Sequence, residues 1–176
     1  MKYRYAINLT AISLFAALTL LGFPKRYTEK IALTSSHRHA EISDEAVHTR
    51  FSMGGGPGFS NNGVPDRTGW IVADWSTQLP EPPAALTRYL VTFHITVFKG
   101  QPDEHAEQYC AYYTYDPATN RGYIRLPAKG EPHYSENTRM VFRGDTFEGP
   151  WFAATPDWTA AAETALKLFP PAGVQP

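Results

Sequence analysis

A single cysteine, Cys110, is all the thiol chemistry this 176-residue chain has, so no disulfide can form within it and no paired-cysteine zinc or redox motif can be drawn. No cysteine follows the N-terminal apolar run either, which removes lipid attachment at that place. Net charge is also scarce: 16 basic against 17 acidic side chains leave −1 at neutral pH. Without a positive field there is nothing to drive sequence-independent nucleic-acid binding, and nucleic acid is not an expected partner. No self-similarity with a period of about 20–50 residues appears, which excludes solenoids and propellers. Nor is there an H-E-x-x-H helix. The glycine run Gly54-Gly55-Gly56-Pro57-Gly58 lacks the Gly-Lys-Ser/Thr ending of a phosphate loop and is followed instead by Phe59-Ser60-Asn61-Asn62-Gly63. It reads as a flexible connection, and nothing in the sequence calls for a cofactor.

Charge is missing altogether between Tyr5 and Pro24. Residues 6–23 read AINLTAISLFAALTLLGF, and eighteen helical residues rise about 27 Å, close to the roughly 30 Å hydrocarbon layer of a bilayer. The expectation is an N-terminal transmembrane helix that stays attached as a signal anchor. The alternative is a cleaved secretory signal, for which Lys2 and Arg4 supply the basic start, but no small-x-small cleavage pattern precedes Pro24-Lys25-Arg26. Lys2 and Arg4 face Lys25, Arg26 and Lys30 across the span, so the positive-inside rule is nearly tied. The short basic N-terminus favours an inside start and an extracytoplasmic C-terminal domain.

The remaining chain divides by composition. Residues 25–69 are polar and then glycine-rich, and are expected to form a juxtamembrane stalk and linker, with one short helix capped by Ser43. Residues 70–170 carry the periodic patterns of a globular domain, and 171–176 form a tail. Trp70 to Trp75 is a candidate edge strand. Tyr89, Val91, Phe93, Ile95 and Val97 alternate with a second set from Leu90 to Phe98, which is the period of a strand with one apolar face. Gln108 to Tyr115 and Tyr123 to Leu126 flank the turn cluster Asp116-Pro117-Ala118-Thr119-Asn120-Arg121-Gly122 and predict a hairpin. A second hairpin is expected about Gly144-Asp145, from Arg139–Arg143 and Thr146–Glu148. At the end Thr155, Pro156 and Asp157 have the chemistry of a helix start. Trp158, Ala161, Ala162, Ala165, Leu166 and Phe169 form one apolar stripe, and Glu163 and Lys167 an exposed pair.

Consecutive strands with short turns and no βαβ period predict an α+β fold: an antiparallel meander of about five strands with the C-terminal helix packed on one face, preceded by the transmembrane helix. An all-β sandwich or small barrel is the alternative.

Three constellations carry possible chemistry. His37, His39 and His48 could hold a metal ion together with Glu41, Asp44 or Glu45, although their surroundings are those of a solvated stalk. Cys110 with His94 and Asp116 could be a nucleophile, base and orienter, against which stands the ordinary role of a thiol within a strand as a small hydrophobe. Tyr112, Tyr113, Tyr115 and Trp151 could meet a ligand or partner, because aromatic side chains with a polar tip suit such surfaces, though they also suit sheet cores. Glu104, Glu107, Glu131 and Glu136 have no spacing that pairs them for acid/base work. Taken together, the pattern favours a membrane-anchored extracytoplasmic domain that binds a protein partner or small ligand through an aromatic sheet face, without catalysis. A metal- or thiol-dependent hydrolase and a structural component of a membrane or envelope assembly are the alternatives.

Overall fold

The computed structural model describes residues 27–51, 72–96, 99–100, 107–140 and 147–169. The apolar run 6–23, the glycine run 54–58 and the turn Gly144-Asp145 lie outside them. Among the described residues no helix is long and apolar enough to cross a membrane.

Seven strands form one antiparallel sheet: β1 (Tyr27–Thr34), β2 (His39–Ile42), β3 (Ala73–Leu79), β4 (Tyr89–Thr96), β5 (Glu107–Asp116), β6 (Arg121–Arg125) and β7 (Trp151–Ala154). Their spatial order is β2-β1-β4-β5-β6-β7-β3, which among the described residues leaves β2 and β3 as the edges of one open sheet. Two strands more than the expected five arise at the start of the chain. Residues 27–42, taken from their charges as part of a stalk, form a hairpin whose first strand lies between β2 and β4. Ile31 and Leu33 alternate with Lys30, Ala32 and Thr34 and are fully buried, as is Ala40 across the hairpin. The charges that suggested a stalk, Lys30 and Glu41, stand on the opposite face, where they approach each other at 3.9 Å.

The central strands follow the sequence pattern closely. Register Ile31↔Phe93↔Tyr109 and Leu33↔Val91↔Ala111 aligns one apolar face across β1, β4 and β5, and Tyr113↔Ile124↔Phe152 continues it across β6 and β7. The β5–β6 hairpin turns through Pro117–Asn120. There Asp116 accepts bonds from the Ala118 amide (2.9 Å) and the Thr119 hydroxyl (2.8 Å), and Asn120 takes the left-handed conformation (φ 51°) that asparagine tolerates. Asp116 is thereby committed to the turn. The expected edge strand near Trp70 is β3, an edge paired with β7 and displaced toward the C-terminus.

Among the described residues three helices complete the fold: α1 (Glu45–His48), α2 (Tyr134–Met140) and α3 (Pro156–Leu168). Asp44, rather than Ser43, caps α1, its carboxylate accepting from the Ala46 amide at 2.9 Å. A 3-10 turn, Thr49–Phe51, then drives Phe51 into the core. Arg139 and Met140, expected to open a strand, instead close α2. Helix α3 begins as its sequence predicts, with Thr155 accepting from the Trp158 amide and Pro156 in the first turn. It lies on the apolar sheet face. Trp158, 0% exposed, meets Phe51 edge-on at 5.0 Å, Tyr113 edge-on at 6.0 Å and Phe93 at 5.9 Å, and Ala162, Ala165 and Leu166 are buried behind it. Close approach is possible because Gly122 has no Cβ: one placed there would come to 2.9 Å from the Ala154 methyl and collide with the Thr159 hydroxyl of the helix.

Candidate functional site

Alternation divides the expected aromatic set between two faces. Tyr113 is fully buried on the helix side, where its hydroxyl donates to Glu163 at 3.2 Å. Burial pushes its pKa far above the ordinary phenol value, and the Glu163 carboxylate adds to the shift. Tyr115 is half-buried at the end of the same face and donates to Asn120 at 2.8 Å. Tyr112 and Trp151 belong to the opposite face. They stand in a cross-strand row, Leu90↔Tyr112↔Arg125↔Trp151↔Leu79, in which the Arg125 guanidinium lies 5.8 Å from the ring centres of both Tyr112 and Trp151. Arg125 is held there by the Gly149 carbonyl and by Glu131. For Glu131, burial acts to raise the pKa, but the Ala128 amide and Arg125 outweigh it and keep the carboxyl below its usual range. Trp151 is buried and donates to Glu81 at 3.0 Å, and Arg88 closes over it from the same segment. Trp151 is therefore a packed member of this face, while Tyr112 and Leu90 remain partly exposed.

The three histidines of the expected metal set do not converge. His37 and His39 are exposed at the β1–β2 turn, His39 engaging the Thr34 hydroxyl at 2.9 Å and Glu41 at 3.2 Å. His48 is 5% exposed in α1, and its Nδ1 and the buried Thr28 hydroxyl have no hydrogen-bond partner among the described residues. Both residues line a cavity of about 340 Å³ that also includes Glu29, Glu45 and Lys99, roomy and polar enough for bridging water.

The convergent cluster is a different one. Among the described residues Cys110, His133 and Glu136 bring three potential ligand atoms within 4.8 Å of one another. The Cys110 thiol donates to Glu136 Oε2 at 3.2 Å, and His133 Nδ1 meets the same oxygen at 2.8 Å. Neither His94 nor Asp116, the partners expected for Cys110, belongs to this group. Burial first, and the Glu136 carboxylate second, push the Cys110 thiol up to about 12, so at neutral pH it keeps its proton. A thiol so held is the opposite of an activated nucleophile.

What holds α2 over Cys110 is Asn137. Its amide accepts from the Cys110 N–H at 2.7 Å and donates to the Cys110 carbonyl at 2.9 Å, filling the place of a neighbouring strand. Extending the Tyr112↔Arg125 register by two residues would bring Pro127 opposite Cys110, and proline has no N–H to give. Strand β6 ends there for that reason, and a side-chain amide takes over. His133 and Asn137 escaped the sequence reading because both lie in a stretch with no strand period. A His-x-x-Glu spacing at the start of a helix was the one available signal.

Comparison with protein-family models, with curated proteins and with solved structures found no match.

Proposed function

We propose that this chain is a membrane-tethered, extracytoplasmic domain that binds a partner protein through the sheet face bearing Tyr112, with residues 6–23 as the transmembrane tether. The observation that carries the reading is the state of that face: Leu90 and Tyr112 stay partly open on it, beside the Arg125–Trp151 cation–π pair, while the other face is covered by α3. A preorganised aromatic flanked by charged groups already paired, Arg125 with Glu131 and Arg88 with Glu81, suits a protein interface. A small ligand is the lesser reading, because among the described residues the cavities formed by 41–51 with 157–169, by 27–49 with Lys99, and by Asp74 with 115–122 and 153–163 all lie away from Tyr112 and Leu90. The buried, protonated Cys110 speaks against thiol hydrolysis.

The test is a photo-crosslinking amino acid placed at Tyr112, and separately at the exposed Thr164 of α3, in the full chain in its native membrane. Adducts of one defined size from position 112 and none from position 164 are expected. Absence of adducts at 112, or equal labelling at both positions, would refute the face. The tether is checked by alkaline extraction of the membranes: a soluble chain that has lost its first residues would refute it.

A further inference from the structure

Cys110 comes from the middle of a strand, Glu136 from a helix and His133 from the turn before that helix, yet their donor atoms share one small volume. Hydrogen bonding to a carboxylate does not require this set. Serine or threonine would serve as well as a thiol, whereas sulfur, imidazole nitrogen and carboxylate oxygen together are the donor types that zinc-like dications favour. The backbone at His133 is also unusual, with φ 66° in the left-handed region that a non-glycine residue enters at a cost. Together with the Asn137 clamp, which seats α2 on Cys110, it brings His133 and Glu136 against the thiol.

We propose that Cys110, His133 and Glu136 form a binding site for one transition-metal dication of the zinc type, with a fourth position open to solvent. The geometry is close to what such an ion needs. Zinc–ligand bonds of about 2.0–2.3 Å at tetrahedral angles place neighbouring donor atoms roughly 3.3–3.8 Å apart. Here the two short edges are 3.2 and 2.8 Å, each occupied by a proton, and all three atoms fall within 4.8 Å. On binding, the thiol proton leaves to solvent, the His133 ring carries its proton on Nε2 and turns the Nδ1 lone pair to the ion, and the two short edges open by a few tenths of an ångström to about 1 Å as the ion takes its place among the three atoms. Access is available because His133 and Glu136 are each about one-third exposed at the side chain (33% and 37%), while Cys110 sits at the closed end (1%). The open fourth position faces the same solvent, where water or a donor atom of a bound molecule completes the shell. Cys110 and Tyr112 lie two residues apart on one strand, about 7 Å, so the ion would border the proposed partner face without depending on it.

The experiment is a titration of the detergent-solubilised full chain with Co²⁺ as a spectroscopic probe, followed by competition with Zn²⁺. Wild-type protein should develop a thiolate-to-cobalt charge-transfer band with intense visible transitions of tetrahedral type, saturating at one equivalent and bleached by Zn²⁺. Zn²⁺ should also raise the thermal midpoint. Cys110→Ser should abolish the charge-transfer band. His133→Asn, which tolerates the left-handed backbone, and Glu136→Gln, at a partly exposed position, should fold normally and weaken binding by roughly 100-fold or more, since even outer partners of a ligand are worth about 10–100-fold. No charge-transfer band at millimolar cobalt would overturn the proposal. So would binding that survives Cys110→Ser and His133→Asn, which would place the ion elsewhere.

Discussion

Replacing Asn137 with alanine tests how the fold closes a gap in its own sheet. The Asn137 amide supplies both hydrogen bonds of the Cys110 peptide groups on the side where β6 has ended, at 2.7 and 2.9 Å, and it is 3% exposed. In Asn137→Ala the Cys110 N–H and C=O stay buried and lose their partners. Each unmade bond to a buried backbone group costs about 1–3 kcal/mol, so the variant should lose about 2–6 kcal/mol of stability, a large share of what a small domain has. Asn137→Asp keeps the acceptor for the N–H but turns an oxygen toward the Cys110 carbonyl and sets a second carboxylate beside Glu136, and it should be at least as destabilised. Urea denaturation of the full chain in mild detergent gives the magnitude. Hydrogen exchange of the β5 peptide gives the place, with the Cys110 amide losing its protection in the variant. A loss below about 0.5 kcal/mol with unchanged exchange would refute the argument, because the two peptide groups would then have another source of bonds.

Leu166→Ala, at a buried position of α3 that is 2% exposed, should cost about 2–5 kcal/mol by the same denaturation assay. A chain lacking the first 65 residues should show no cooperative melting transition by circular dichroism, because β1 lies within the sheet and its removal uncovers Val91, Phe93 and Ile95 of β4. Glu163 is half-buried, and its desolvation raises its pKa above the ordinary 4.5 despite the Tyr113 bond that opposes the rise. A raised carboxyl holds its proton more tightly in the folded than in the unfolded chain, so its contribution to stability is complete below the ordinary value and is lost as pH climbs through the raised one. Glu163→Gln should therefore flatten the fall in thermal midpoint between mildly acidic and neutral pH. An unchanged slope would show that the charge is fully solvated.

Several elements could be read from the sequence because their cause is local. The alternation from Tyr89 to Thr96 needs only a period of two, the turn from Asp116 to Arg121 needs only its own side chains, and the cap of α3 needs only Thr155 and Pro156. The burial of Trp158, Ala162, Ala165 and Leu166 follows from the same kind of periodicity. Tertiary structure decided the rest. Whether Ile31 and Leu33 belong to a stalk or a sheet depends on β4, some sixty residues away, offering a matching edge, and short apolar stretches among charges carry no signal of that. The division of the tyrosines was present in the alternation, but which face would be covered was settled only by where α3 docks. Glu163, spaced for an exposed pair with Lys167, is turned toward Tyr113 by that docking. Beyond the His-x-x-Glu spacing of His133 and Glu136, nothing in the sequence announces their meeting with Cys110, because it depends on β6 ending at Arg125, short of Pro127, and on Asn137 filling the vacant edge. Periodicity specifies which side of an element is apolar, whereas the partners that share a site are chosen by register and edge satisfaction across the whole sheet, and these are properties of no single segment.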